Sequence, residues 1–218
     1  MIVSIIITTK NSENFIYDCI NAVKKSSYKD VEIILVDNNS NDRTIEIAKK
    51  LGAKTFTKGP ERSAQRNYGA YMSNGEIIGF LDVDMTLSEN VITECLEIFD
   101  NNKRVNAIYI PEKIYGDSFF NKVRNFERSF YDATVIDAVR FFRKEIFVKI
   151  GGFDLSLNGT EDWDIDRRIN EIGEVAITKS HLYHHENHTL KQYIIKKSYY
   201  ASNFDNWRFA SASAASAA

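Results

Sequence analysis

The sequence contains few cysteines, and their setting argues against the functional roles of that residue. Cys19 and Cys95 are the only two in a chain of 218 residues, and each lies in a helical pattern near other apolar side chains. We therefore expect both to be buried core residues in a reducing compartment, without a disulfide or a catalytic thiol. Spacing typical of a zinc site with His and Cys ligands is absent.

Long apolar runs and a strong net charge are also absent. No run approaches the roughly 18 apolar residues that span a bilayer. The first residues, MIVSIIITTKN, lack the basic region and cleavage site of a signal peptide, so we interpret them as a strand. A formal net charge of -2 argues against a broad nucleic-acid-binding surface. We expect a cytoplasmic protein without a nucleic-acid partner, with attachment to the cytoplasmic face of a membrane as an open alternative.

What the sequence does contain is a regular alternation of strand and helix patterns over its first hundred residues. Hydrophobic residues make up 44% and charged residues 27%, as in a packed single domain. Strands are predicted at 3–8, 31–36, 53–57 and 76–81, and helices at 15–25, 42–52 and 60–73. Because parallel strands require crossover helices, this order predicts an α/β fold: a Rossmann-like, mainly parallel central sheet with helices on both faces.

The second half is less regular. Strands or extended segments are predicted at 105–111, 137–142 and 175–179, and helices at 119–132, 144–151, 161–172 and 190–207. The last of these helices combines lysines with aromatic residues, which suits either peripheral membrane attachment or a helix that closes the core. Residues 209–218 are of low complexity, and we expect a disordered tail or an artificial addition there.

The segment GFLDVDMTLSEN, residues 79–90, places two carboxylates at the end of an apolar strand. Residues i and i+2 of an extended segment point the same way, so Asp82 and Asp84 can face one ligand while Val83 packs inward. Carboxylates bind Mg²⁺ or Mn²⁺, and such a cation stabilises a nucleoside diphosphate as a leaving group. The plain alternative is a strand-end turn with two solvated acids.

A second enzymatic interpretation of the same segment is open. An apolar strand followed by D-x-D-x-T-L also resembles the first motif of haloacid-dehalogenase-type phosphatases, in which Asp82 would be the nucleophile. That motif normally lies on the first strand of its domain, whereas here a βαβαβα unit precedes it. Its acidic partner motif should follow an apolar strand, but Glu161-Asp162 follows the loop GGFDLSLNGT. The context favours the metal and diphosphate interpretation.

Four motifs in a fixed order resemble the family 2 glycosyltransferases. They are an opening strand and loop, a second strand with a terminal Asp, an Arg-Asn helix that leads into the D-x-D strand, and an acceptor-side segment. In this sequence they read VSIIITTKNSENF, VEIILVDNNSNDRT, ERSAQRNYGAYMSNGEIIGFLDVD and FFRKEIFVKIGGFDLSLNGTEDWDIDRRI. The resemblance covers roughly residues 1–205.

This resemblance implies a single GT-A domain over residues 1–208 and a metal-dependent, inverting sugar transfer. Residues 1–100 would bind a nucleotide-diphosphate sugar, with UDP-sugar ranked before GDP-sugar. Residues 101–208 would bind a glycan or a lipid-linked acceptor with a free hydroxyl. The expected cofactor is Mn²⁺ or Mg²⁺.

The resemblance also implies roles for individual residues in the first half. The expected nucleotide-binding residues are Thr8, Thr9, Asn11, Glu13, Asp37, Asn39, Arg62, Arg66, Asn67, Asp82 and Val83. Asp37 would contact the base, and Arg62 and Arg66, four apart on one helix face, would place positive charge beside the diphosphate. Asp84 is the expected principal metal ligand, with Asp82 as a helper and His184 facing the metal. The family's Pro-Thr-Tyr-Asn loop is here Thr8-Thr9-Lys10-Asn11, which leaves the nucleotide preference open.

In the second half, Asp162 is the expected catalytic base. A carboxylate within hydrogen-bond reach takes the proton of an attacking sugar hydroxyl, which suits single displacement with inversion. Glu161 would orient the acceptor hydroxyl, although acidic residues also favour the first turn of a helix on physical grounds alone. The residues expected to contact the sugar or acceptor are Gly151, Gly152 and Trp163.

Overall fold

The computed structural model describes residues 1–131, 138–157, 159–185, 191–195 and 198. Its elements, in chain order, are β1 (Val3–Thr9), α1 (Ile16–Lys25), β2 (Val31–Asp37), α2 (Thr44–Lys50), β3 (Lys54–Thr57), α3 (Arg62–Met72), β4 (Ile77–Asp82), β5 (Met85–Leu87), α4 (Val91–Asn101), β6 (Val105–Tyr109), β7 (Glu112–Ile114), α5 (Phe119–Arg128), β8 (Val139–Arg143), α6 (Lys144–Lys149), α7 (Glu161–Asn170), β9 (Glu174–Ile177) and β10 (Leu182–His184).

The main sheet confirms the predicted α/β fold. Its seven strands have the order β3-β2-β1-β4-β8-β6-β9. The first four are parallel to one another, and β8 is antiparallel to its neighbours β4 and β6. The carboxyl ends of β1, β2 and β4 therefore meet at one edge of the sheet.

Alternate residues of the central strands pack on opposite faces of this sheet. Ile5 and Ile7 of β1 belong to a hydrophobic cluster that includes residues of α1 and α4. Ile6, between them, belongs to a second cluster with residues of α3, α6 and α7. Because both faces are covered, the central strands read as nearly continuous apolar runs. Cys19 and Cys95 are fully buried in the first cluster and form no disulfide, as predicted.

A second, three-stranded sheet was not predicted from the sequence. Its order is β5-β10-β7, with β5 antiparallel and β7 parallel to β10. Each of its strands has three residues, too few for a periodic pattern to be visible. The small sheet matters for function because it places His184 beside Met85, the residue that follows Asp84.

The other predicted elements agree with the structure to within a few residues. Gly52, which follows the C-cap residue Leu51 of α2, has a left-handed φ of 81°, as is common for glycine just past a helix end. In the described residues no helix has both the length and the apolar character needed to cross a membrane. Of the predicted helix 190–207, only 191–195 and 198 are described, and they are helical. The predicted tail at 209–218 lies outside the described residues.

Candidate active site

A cavity of about 1080 Å³ opens at the carboxyl edge of the main sheet. Parallel α/β sheets bind their ligands at this edge. Several residues predicted from the sequence lie in its wall: Thr8, Thr9, Arg62, Asp82, Val83, Asp84, Asp162, Trp163 and His184. The cavity thus brings together the D-x-D segment, the Arg-Asn helix and the acidic start of α7.

Asp82, the last residue of β4, is held by three guanidinium groups. Arg66 Nη2 donates to Asp82 Oδ1 over 3.1 Å. Asp82 Oδ2 lies 3.5 Å from Arg140 Nη1 and 4.0 Å from Arg62 Nη1. Burial raises the pKa of Asp82, but the charges of the three arginines outweigh it and hold this pKa well below its ordinary value. Asp82 is therefore ionised at neutral pH, and its carboxylate is already paired with arginine side chains of the protein.

Asp84 faces the cavity with a more exposed carboxylate. Its side chain is 36% exposed, against 18% for Asp82. Asp84 Oδ2 lies 3.0 Å from His184 Nε2, and His184 Nδ1 lies 3.8 Å from Glu112 Oε2. Burial lowers the pKa of His184, but Asp84 and Glu112 together raise it to about 9. His184 is thus an imidazolium at neutral pH unless a metal displaces its proton.

The few metal-binding side chains in the cavity suit a cation that takes most of its ligands from a substrate. Among the described residues, no group of three or more His, Cys, Asp or Glu side chains is arranged to hold a metal ion. Mg²⁺ is commonly bound by one or two carboxylates together with substrate phosphates and water. Asp84 fits that requirement better than Asp82, whose oxygens are engaged by arginines.

The acidic pair at the start of α7 divides into a cavity-facing and a buried residue. Asp162 lines the cavity, and its side chain is 28% exposed. Glu161 is 3% exposed at the side chain, accepts the Gly159 amide hydrogen at 2.6 Å and lies 3.5 Å from Arg62. Asp162 is therefore the acid that a ligand in the cavity would meet, and Glu161 anchors the helix start.

Arg66 lies behind the cavity wall and is not among the residues that line the cavity. It is 1% exposed, and its guanidinium lies 5.0 Å from the centre of the Phe153 ring. Its Nη1 donates to Asp162 Oδ1 over 2.9 Å, while its Nη2 binds Asp82. Arg62, one turn earlier and 42% exposed at the side chain, is the arginine of this pair that lines the cavity.

Four predicted nucleotide-binding residues lie outside the cavity wall, at or next to the loops after β1 and β2. The buried Asp37 carboxylate accepts hydrogen bonds from the Ser40 amide and hydroxyl groups, at 2.7 and 2.5 Å. Asn11 Oδ1 accepts the Asn41 amide hydrogen, and Glu13 accepts that of Arg43. Asn11 and Asn39 both adopt left-handed φ angles, 49° and 54°.

Asn67 binds the loop at Gly152 and Phe153, outside the cavity wall. Asn67 Nδ2 donates to the Phe153 carbonyl at 2.8 Å, and Asn67 Oδ1 accepts the Phe153 amide hydrogen at 2.9 Å. Gly152 has a φ of 68°, and a Cβ there would lie 2.6 Å from Asn67 Oδ1. Gly151 has a φ of 82° with open space around it. These residues fix the loop that precedes α7.

The sequence did not single out Glu112 and Arg140, which also line the cavity. Arg140 Nη2 donates to Glu112 Oε1 over 2.7 Å, and Arg128 Nη2 donates to Glu112 Oε2 over 2.6 Å. Burial raises the pKa of Glu112, but Arg140, His184 and Arg128 hold it below its ordinary value. One signal was available: an arginine inside the apolar strand segment VRFF requires a buried partner.

The comparisons with known proteins agree with the fold. The model of glycosyl transferase family 2 matches residues 4–155, well over half of the chain. An uncharacterized glycosyltransferase of Rickettsia typhi is 27% identical over 204 residues, which cover 92% of this chain and 65% of that protein. A hyaluronan synthase of Pasteurella multocida is 24% identical over 213 residues, 90% of this chain and 22% of the synthase.

Two solved structures share this architecture at low sequence identity. Residues 1–349 of TarS from S. aureus, in complex with UDP-GlcNAc, align with a TM-score of 0.70 at 19% identity, over 87% of this chain and 60% of TarS 1–349. The mannosyltransferase PcManGT of Pyrobaculum calidifontis, in complex with GDP-Man and Mn²⁺, aligns with a TM-score of 0.71 at 19% identity, over 88% of this chain and 58% of that one.

The chain spans less than two thirds of the length of each of these proteins. The family match favours the sugar-transfer interpretation of the segment 79–90 over the phosphatase interpretation. The order of the sequence motifs, the seven-stranded α/β sheet and the extent of the family match lead to one conclusion: the chain belongs to glycosyltransferase family 2 and has the GT-A fold.

Proposed function

We propose that the protein transfers a sugar from a nucleotide-diphosphate sugar to a hydroxyl of a glycan or lipid-linked acceptor, with inversion and with Mn²⁺ or Mg²⁺. The observation that carries this proposal is that Asp84, Arg62 and Asp162 line one cavity. Two of them suit a diphosphate and its metal, and the third suits an acceptor hydroxyl. A single displacement needs both functions in one space.

The donor side combines an exposed carboxylate with positive charge. Arg62 is a guanidinium near Asp82 and Glu161, at the cavity surface, where it can pair with phosphate oxygens. Asp84 would hold the metal, with His184 beside it. When bound, the metal would neutralise negative charge on the diphosphate leaving group.

The acceptor side provides the base. Asp162 takes the proton from the acceptor hydroxyl while the hydroxyl oxygen attacks the anomeric carbon. The bond between that carbon and the diphosphate oxygen breaks, and its electron pair stays on the diphosphate. Arg66 holds one oxygen of Asp162 at 2.9 Å, which orients the carboxylate towards the cavity. Trp163, also in the wall, offers an apolar surface for a sugar ring.

The substrates are proposed by class. We rank UDP-sugar before GDP-sugar as donor; the similar structures hold UDP-GlcNAc and GDP-Man respectively. A lipid-linked acceptor would place the protein at the cytoplasmic face of a membrane, and a soluble glycan would not require this. Either acceptor presents the hydroxyl that Asp162 would deprotonate.

A thermal-shift screen of UDP, GDP, CMP and dTDP species, with and without Mn²⁺, tests the proposal. A ligand present at about 100 times its Kd stabilises the folded state by about 2.7 kcal/mol. We expect a rise in Tm with a uridine species that depends on Mn²⁺. The identified donor then serves in a transfer assay in which the anomeric configuration of the product is read by NMR. Absence of any nucleotide-dependent shift, or a product of retained configuration, would contradict the proposal.

A further inference from the structure

We propose that Glu112 and Arg140 are positioning residues for this reaction, joined in a chain of close polar contacts, buried at its centre, that connects the base Asp162 to the metal-facing Asp84. This inference rests on the proposed function above. The successive contacts are Asp162–Arg66 at 2.9 Å, Arg66–Asp82 at 3.1 Å, Asp82–Arg140 at 3.5 Å, Arg140–Glu112 at 2.7 Å, Glu112–His184 at 3.8 Å and His184–Asp84 at 3.0 Å.

The middle pair of this chain joins the two sheets of the protein. Arg140 lies on β8 of the main sheet, whose strand β4 ends in Asp82. Glu112 begins β7 of the small sheet, whose strand β10 carries His184. The contact between Arg140 and Glu112 therefore sets how the metal side of the cavity lies relative to the side that carries the base.

Stability alone does not account for such a pair. Arg140 is 4% exposed and Glu112 is 8% exposed. The desolvation of two buried charges consumes most of their attraction, and apolar replacements of similar volume are often neutral or stabilising. A buried ion pair in the wall of a cavity, in contact with two residues that face the ligands, is instead suited to orienting those residues.

Glu112 acts on the metal side of the chain. It lies on the Nδ1 side of His184, while His184 Nε2 faces Asp84. A carboxylate in this position fixes the ring orientation and tautomer of an imidazole beside a metal. Arg128 and Arg140 hold the two oxygens of Glu112 in place, so its own orientation is determined by the protein.

Arg140 acts on the base side. It lies 3.5 Å from Asp82 Oδ2, while Arg66 binds Asp82 Oδ1. With both oxygens of Asp82 engaged by arginines, its carboxylate plane is fixed, and Arg66 is fixed with it. Arg66 in turn holds Asp162. Loss of Arg140 would loosen this succession while Asp162, Asp84 and Arg62 stay in the cavity wall.

Glu112→Gln tests the metal side, because it removes the charge and keeps the shape. We expect the Mn²⁺ affinity of the nucleotide-loaded protein, measured by titration calorimetry, to fall about 10- to 100-fold, as is typical when a partner of a metal-facing residue is lost. Nucleotide affinity without Mn²⁺ should change much less, because Glu112 acts through the metal-facing His184. Both measurements are independent of turnover.

Glu32→Gln is the matched control. Glu32 lies near the amino end of β2, at the opposite edge of the sheet, with 11% of its side chain exposed. It pairs with Lys54 at 2.7 Å and accepts a hydrogen bond from Ser4. This variant should lose stability and keep the Mn²⁺ affinity. If Glu112→Gln behaves in the same way, its role is only structural and the proposal is overturned.

Arg140→Gln and Arg140→Lys test the base side. We expect Arg140→Gln to lower kcat at least about 10-fold and to shift the pH profile of kcat, because Asp162 loses its fixed setting. Arg140→Lys keeps the positive charge, so it should recover part of the lost kcat. It also serves as the test variant if Arg140→Gln fails to fold. Arg143→Gln is the control, since Arg143 ends the same strand and binds the Val105 and Phe99 carbonyls. Equal pH profiles in all variants would overturn the proposal.

The two levels of proposal fail in different ways. If the unchanged protein binds no nucleotide and transfers no sugar, both the function and the positioning role are wrong. If it does both, and Glu112→Gln keeps full Mn²⁺ affinity while Arg140→Gln keeps the normal pH profile, only the positioning role is wrong.

Discussion

Asp162 accepts a hydrogen bond of 2.9 Å from Arg66, a residue 96 positions earlier in the chain. Arg66 is almost completely buried and also binds Asp82. One guanidinium thus connects the end of β4, which Asp84 follows two residues later, with the start of α7, which carries Asp162. The proposed base is oriented by a residue that does not itself reach the cavity.

Asp162→Asn should bind the donor but lose most of its turnover. The amide keeps the size of the side chain and cannot take a proton from an acceptor hydroxyl, and loss of a general base typically costs about 10²–10⁴ in rate. Donor affinity from calorimetry and kcat from a transfer assay separate the two effects. Asp164→Asn, which alters an acid paired with Arg168 on the same helix, is the control. Near-normal transfer by Asp162→Asn would show that another group is the base.

Asp84→Ala should abolish metal-dependent nucleotide binding and leave the fold intact. The Asp84 side chain is 36% exposed, so its removal leaves no buried cavity in the core. The Tm rise produced by nucleotide with Mn²⁺ should disappear, while the Tm of the protein alone should change little. Asp100→Ala, which removes a carboxylate that is 66% exposed on α4, should retain the full response. Unchanged turnover in excess EDTA would contradict metal dependence.

Asp166→Asn should stabilise the protein above pH 6. Burial raises the pKa of Asp166 to about 6, and the Tyr109 hydroxyl donates a hydrogen bond to it. Because the pKa of Asp166 is higher in the folded state than in the unfolded state, the stabilisation that comes from the neutral carboxyl group is complete below about pH 4. This stabilisation is lost as the pH rises through 6. We expect the free energy of unfolding of Asp166→Asn to exceed that of the unchanged protein by roughly 1–3 kcal/mol at pH 7–8. Urea unfolding between pH 4 and 8 measures this gain.

Glu32→Gln is the contrasting case for that experiment. Burial raises the pKa of Glu32, but hydrogen bonds from Lys54, Ser4 and Asn74 lower it to about 2. Its contribution is therefore present above about pH 4.5 and is lost as the pH falls towards 2. The Gln variant should be less stable at neutral pH and should approach the unchanged protein in acid. The same pH trend in both variants would contradict the assignment for Asp166.

Gly152→Ala should destabilise the protein more than Gly151→Ala. Both glycines have left-handed φ angles, which cost other residues about 1–2 kcal/mol. Only at Gly152 would the added Cβ also meet Asn67 Oδ1, at 2.6 Å, and disturb its hydrogen bonds to Phe153. We expect about 1 kcal/mol of additional loss for Gly152→Ala in urea unfolding. Equal losses would show that Asn67 moves aside without cost.

Much of the fold could be predicted from the sequence because the elements of the main sheet are long enough to show their hydrophobic pattern. β1, β2 and β4 are strands of six or seven residues in which apolar residues predominate, and the amphipathic helices between them require a parallel arrangement. The three-residue strands of the small sheet carry no such pattern. Their pairing depends on segments nearly a hundred residues apart, such as Met85 and His184.

The candidate site divides along the same line. The amino-acid sequence by itself determined which carboxylates lie at the carboxyl edge of the sheet, because that placement follows from where each strand ends. Only the tertiary structure decided which of these carboxylates are paired with arginine side chains and which face the cavity. Asp82 is bound by Arg66 and Arg140, whereas Asp84 remains more exposed. Ion pairs between residues that are distant in the sequence depend on how the sheets and helices pack, so they cannot be predicted from the local spacing of residues.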